Sequence, residues 1–115
     1  AKSNGKLELF RASWIADYPD AENYLLPYFS ENFSPNGPNY THFKSKRFDE
    51  GYKEIAATLD ADRKNNLTNS LDQQLVDTAP FILLYYDEVL RFTHPNVEGM
   101  FPNPVNMLDL RRVRK

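Results

Sequence analysis

A chain of 115 residues, 41% hydrophobic and 14% aromatic, carries enough apolar surface to build one core, which excludes a disordered segment. Four of its 14 basic residues (Arg111, Arg112, Arg114 and Lys115) lie in the tail, so against 16 acidic residues the rest of the chain is distinctly acidic, which argues against a nucleic-acid surface. The absence of cysteine removes disulfides, thiolate metal sites and a cysteine nucleophile, and no run approaches the roughly 18 apolar residues of a membrane span.

From Lys6 to Ala16, Leu7 and Leu9 alternate with charged residues before the text turns mostly apolar, which predicts a strand entering a sheet. Asp17-Tyr18-Pro19-Asp20 ends it, because Pro19 disfavours helical dihedrals at Tyr18 and both aspartates can cap backbone amides. Ala21 to Leu26 suits a short helix that Pro27 stops. Ser30 to Asn39 is dense in turn formers and predicts a loop. The sequons at Asn32, Asn39 and Asn66 are short enough to arise by chance and carry no weight.

Phe48, Tyr52, Ile55, Ala56 and Leu59 gather on one face of a helix expected from about Arg47 to Leu59. Asp60 or Asp62 can cap a second helix, in which Leu67, Leu71 and Leu75 recur every four residues up to the stop at Ala79-Pro80. The polar faces, including Lys53, Glu54, Arg63, Lys64, Asp72 and Gln73, read as solvated surface. Phe81 to Tyr86, a short apolar run bounded by Pro80 and Asp87, predicts a strand buried on both faces. Further strands are expected at about Val89 to Thr93 and at Met107 to Val113. The order predicts an α+β fold, a mixed sheet with flanking helices, in a single domain over residues 1–115.

Little in the sequence suggests chemistry of the bond-breaking kind. His42 and His94 are far apart and lack a second ligand at metal-binding spacing, and no glycine stands in a phosphate-binding pattern, so neither a metal nor a cofactor is expected. Asp87 and Glu88 would point to opposite faces of a strand and would not converge as an acid–base pair. A small hydrolase using Asp17 with a second carboxylate or His42 stays open as a reading of another class, as does an interaction domain using Tyr85, Tyr86 and Phe92. The segment Ser13 to Asp20 differs, because it delivers an indole, Trp14, and a carboxylate, Asp17, to the end of a predicted strand. That pair suits a ligand with an apolar body and an ammonium group, against the alternatives that Trp14 is a core residue and Asp17 a cap.

Ser-Trp-Ile-Ala-Asp-Tyr-Pro-Asp-Ala-Glu-Asn-Tyr-Leu at 13–25 resembles the Trp-x-Ala-Asp-Tyr motif of the family 5 extracellular solute-binding proteins, the oligopeptide- and dipeptide-binding components of bacterial ABC importers. Asn39-Tyr40 through Phe48-Asp49, the helix around Arg63 to Gln74, Asp77 through Tyr86, and Val97-Glu98-Gly99 follow the order found near that family's C-terminus. The resemblance implies a C-terminal fragment of a longer protein, lying in the C-terminal lobe of a two-lobed periplasmic-binding-protein fold, with about residues 97–115 returning towards the first lobe. It implies a non-enzyme, periplasmic or on the cell surface, held at the membrane only through a lipid anchor outside this segment and partnered by an ABC permease. In peptide-binding members the position of Asp17 pairs with the ligand's N-terminal ammonium and that of Trp14 lines a side-chain pocket. The main chain of Ser13 and Ile15 would then hydrogen-bond the extended peptide. Pro19-Asp20-Ala21-Glu22 departs from well-known oligopeptide binders, and other members carry nickel complexes, opines or sugars, so the ligand class stays open.

Overall fold

Helices form in this chain where a side chain just ahead of them satisfies an opening amide. The Asp20 carboxylate accepts from the Glu22 amide at 3.0 Å ahead of α1 (Glu22–Leu25), and Ser45 Oγ accepts from Phe48 at 3.3 Å ahead of α2 (Lys46–Ala57). Asp60, not Asp62, opens α3 (Ala61–Thr78), accepting from the Arg63 amide at 2.7 Å. Pro27 does not extend α1 but tightens the chain into a 3-10 turn, Leu26–Tyr28. Ala79, in the left-handed region at φ 45°, closes α3 just before Pro80.

The computed structural model describes residues 2–86, 88–103, 105 and 107–115, in two units, Ala1–Ile82 and Leu83–Lys115. The first unit holds the core. Phe48, Tyr52 and Ile55 of α2 meet Leu71 and Leu75 of α3 and Leu25 and Phe29 before them, all seven buried. Rings order the contacts: Phe29 stacks on Tyr52 and Tyr28 on Phe81, each with centroids 4.8 Å apart, while Phe43 meets Phe48 edge-on at 5.6 Å. Gly51 lets α2 approach α3, since a methyl group there would stand 2.8 Å from Leu71 Cδ2. Leu59 does not join this face as the periodicity predicts. The helix ends at Ala57, which leaves Leu59 in the link to α3 and fully exposed.

Residues 29–43 form a loop around buried Asn39, whose amide donates to the carbonyls of Phe29 at 3.1 Å and Phe43 at 3.0 Å. The 3-10 turn Ser30–Asn32 is tied to α2 through Asp49, which accepts from the Ser30 amide at 3.0 Å and its hydroxyl at 2.7 Å.

The expected mixed sheet is overturned. Among the described residues no strand forms, and the only ladder contacts are two isolated bridges, Phe33 with Asn39 and Glu98 with Arg114. The segments predicted as strands, Lys6 to Ala16, Phe81 to Tyr86, Val89 to Thr93 and Met107 to Val113, are irregular. The α+β class goes with them: the first unit is helical. The reason lies in what the sequence signal measures. Alternation and apolar runs mark side chains that fit a pleated, half-buried surface, and a strand exists only where a neighbour supplies the other half of its hydrogen bonds. Among the described residues no such neighbour is present, so Ile82 is 78% exposed and Phe92 is 92% exposed instead of buried. Asp87, considered with Glu88 as a carboxylate pair, lies outside the described residues.

In the second unit, Glu98 and Arg114 exchange two backbone hydrogen bonds of 3.0 Å, and Gly99, at φ 80°, stands where a Cβ would meet the Arg112 carbonyl. Asp109 binds the Arg111 guanidinium through both oxygens, at 2.9 and 2.7 Å. That fork holds the Asp109 carboxyl well below the usual carboxylate range.

Candidate functional site

The segment Ser13 to Asp20 is not a strand, yet it is held in place. Its support is Asn23, on α1 and fully buried. One Asn23 oxygen, Oδ1, accepts from the Trp14 indole N–H at 2.9 Å and from the Asp17 backbone N–H at 3.3 Å. Ala16, between them, is buried, and Trp14 is half-buried. The side chains of Ser13, Ile15 and Asp17 face outward, with Ile15 62% exposed. Among the described residues, no backbone–backbone hydrogen bond engages Ser13 or Ile15. The result is a loop with a held aromatic group and an outward carboxylate.

A second layer ties this loop to the helices. Asp20 uses one oxygen for the Glu22 amide and the other for the Lys64 ammonium on α3. Glu22 accepts from the Tyr18 hydroxyl at 3.1 Å and, through its other oxygen, from the Tyr52 hydroxyl on α2. Burial first, and then the Glu22 carboxylate, push the Tyr52 hydroxyl well above its ordinary pKa, so it stays a donor throughout the physiological range. Sequence reasoning places Lys64 on a solvated face and gives Asn23 no role. Both act across gaps in sequence, 44 residues from Lys64 to Asp20 and nine from Asn23 to Trp14, that local pattern does not register.

The Asp20–Lys64 pair gives a pH-dependent expectation. The Lys64 hydrogen bond, followed by the Glu22 amide, lowers the pKa of Asp20, so the stability it contributes is full above the unfolded carboxylate value of about 3.9 and is lost as pH falls through the folded value. Lys64→Met should lower stability at neutral pH by less than about 1 kcal/mol, because both groups are partly in water. The difference between the two proteins' unfolding midpoints should narrow below about pH 4. A gap of constant size down to the lowest pH would remove Lys64 from this role.

The histidines are engaged locally. His42 Nε2 lies 3.1 Å from the Ser34 carbonyl oxygen and its ring meets Phe33 edge-on, while His94 pairs with Asn96 two residues on. Among the described residues no three His, Asp or Glu side chains gather as metal ligands. A hollow of about 370 Å³ lies in the second unit, lined by Glu98, Phe101 and Arg111 to Arg114, and contains none of the loop residues.

No family model matches the chain. Individual relatives do. It is 29% identical over 102 residues to the "probable deoxycholate-binding periplasmic protein" of Escherichia coli, covering 89% of this chain and 18% of that protein. It is 24% identical over 106 residues to a dipeptide-binding protein of Bacillus subtilis, covering 92% of this chain and 19% of the relative. With the periplasmic oligopeptide-binding protein of Salmonella typhimurium the identity is 26% over 98 residues, 85% of this chain and 17% of the relative. The matches fall in the C-terminal parts of these proteins. The chain is similar to the C-terminal parts of family 5 solute-binding proteins.

The chain spans about a fifth of the length of the curated relatives it matches. These relatives of the family 5 type are binding proteins and not enzymes, and periplasmic is part of several of their names. Among the described residues no helix is long and apolar enough to cross a membrane.

Proposed function

We propose that this chain is the C-terminal part of a longer extracytoplasmic solute-binding protein of an ABC importer, and that it takes an oligopeptide or dipeptide by its N-terminal ammonium. Asp17 neutralises the ammonium, Trp14 lines a side-chain pocket, and the main chain of Ser13 and Ile15 pairs with the ligand's peptide groups. The protein works in the periplasm or at the cell surface, with any lipid anchor outside this segment, and delivers its solute to a permease without transforming it.

The observation that supports this reading best is the one loop in which the backbone N–H of Asp17, whose carboxylate faces outward, and the indole N–H of Trp14 donate to the same buried oxygen. A charge-assisted hydrogen bond in a water-poor site contributes about 1.5–3 kcal/mol, which suits a carboxylate kept free for a cationic end group. The names of most relatives, which are dipeptide- or oligopeptide-binding, point the same way.

A second reading, a non-peptide solute, has support of its own in the relative named for deoxycholate. That ligand is an anion with an apolar body and would use Trp14 but not Asp17. Other non-peptide cargoes of such proteins, a nickel complex, an opine or a sugar, fall under the same reading. Purifying the longer protein from its source and identifying the co-purifying solute by mass spectrometry separates the two. Short peptides with free N-termini are expected. A bile acid, chelate, opine or sugar as the sole bound species would overturn the peptide assignment.

A further inference from the structure

Asn23 does more than fill space. Its side chain is fully buried, and one of its two polar atoms takes both donors of the loop, the Trp14 indole N–H at 2.9 Å and the Asp17 amide N–H at 3.3 Å. The other, Nδ2, is buried beside the Tyr18 hydroxyl, with no hydrogen bond of full geometry among the described residues. A buried donor so poorly paired is a cost that packing alone would not favour. We propose that Asn23 is a positioning residue, which sets the separation and orientation of the Trp14 ring relative to Asp17 and so fixes the spacing between cationic head and apolar group that a ligand must have. This rests on the reading of Trp14 and Asp17 as ligand groups.

The oxygen is itself fixed by the core. Asn23 is followed two residues on by buried Leu25, its own amide donates to the Asp20 carbonyl at 3.1 Å, and its neighbours Glu22 and Asp20 are fastened to Tyr52 on α2 and Lys64 on α3. The position of the acceptor is therefore inherited from the helix pair, and the loop inherits it in turn. Alternative residues fail for distinct reasons. A leucine of similar size offers no acceptor, so both donors would be stranded. Glutamine carries its oxygen one methylene further out, a displacement of about 1.5 Å that would move ring and carboxylate together or part them.

Trp14 is the only tryptophan of the chain, so its emission, anisotropy and indole N–H resonance report the surroundings of this one ring. In Asn23→Ala, with helicity retained by circular dichroism, the emission should move to the red, the anisotropy should fall and the indole proton should exchange faster with solvent. In the longer protein, the same variant should bind tri-alanine about fivefold or more weakly. In an Asp17→Asn background it should cost less than it does alone, since part of its effect passes through Asp17. If Asn23→Ala does not fold, the wild-type chain still decides the contact: its indole proton should be protected from exchange, and one exchanging at the rate of a free indole would overturn the proposal. Unchanged emission and exchange in a folded Asn23→Ala would do the same. Should the Trp14 signals change and Asp17→Asn discriminate a free amine while Asn23→Ala leaves affinity untouched, the positioning role falls and the loop reading stands. Should Asp17→Asn itself have no effect on binding, the loop reading falls and takes the proposal with it.

Discussion

Asp17→Asn in the longer protein is expected to weaken tri-alanine by at least about tenfold, on the order of 1.4 kcal/mol, and to leave N-acetyl-tri-alanine nearly unaffected. The substitution keeps the size of the side chain and one accepting oxygen, removes the charge and turns the second oxygen into an NH2 donor. The backbone amide of residue 17, which donates to Asn23, is untouched, so the loop keeps its support. What is lost is the Coulombic part of a contact with an ammonium, and acetylation removes the ammonium from the other side. The pair of measurements therefore isolates one interaction, and isothermal titration of both peptides against both proteins reads it directly. Equal weakening of the two peptides would mean that the variant disturbs the loop and not the charge, and would remove Asp17 from the site.

The helices are legible in the sequence because their signals are local. Phe48, Tyr52 and Ile55 repeat at helical spacing, Leu67, Leu71 and Leu75 do the same, and of the two aspartates that could open the second helix the structure uses Asp60. Leu59 departs from the pattern because periodicity has no sense of where a helix stops. The chain leaves α2 at Ala57, with the Thr58 amide bonded back to Ile55, and so loses the phase that Leu59 would have needed. The strands fail for a different reason. The run Phe81 to Tyr86 has the same sequence inside a sheet and outside one, and only a partner decides between them. The β-branched side chain of Ile82 strengthens the strand pattern without supplying that partner.

The candidate loop is legible by resemblance to a motif, which locates Trp14 and Asp17 but says nothing of what holds them. Asn23 and Lys64 become visible only with the fold, since an amide nine residues from its indole and an ammonium 44 residues from its carboxylate leave no spacing rule to read. Trp14 also illustrates that the two readings offered for it, core residue and ligand group, are not exclusive: it is half-buried, with its N–H committed inward.

Phe48→Ala should destabilise the first unit by about 3–5 kcal/mol, a large share of its total stability. Phe48 is completely buried between Phe43 and the α2–α3 contact, so its removal costs the transfer of a full aromatic ring and leaves a void besides. Relaxation cannot fill it easily. Gly51 already sets α2 close to Leu71, and only residues 58–60 link α2 to α3, so the helices have little freedom to slide together. A unit of this size has a total stability of about 4–12 kcal/mol, and each kcal/mol lost moves its midpoint by roughly 4–8 °C. The expected fall is therefore about 12 °C or more, read by thermal circular dichroism. Phe92→Ala removes the same ring from a position 92% exposed and should leave that transition within about 0.5 kcal/mol of the parent. Equal small effects from both substitutions would show that α2 and α3 do not share a packed core, and the oxygen of Asn23, whose place depends on that core, would have no fixed position to confer on the loop.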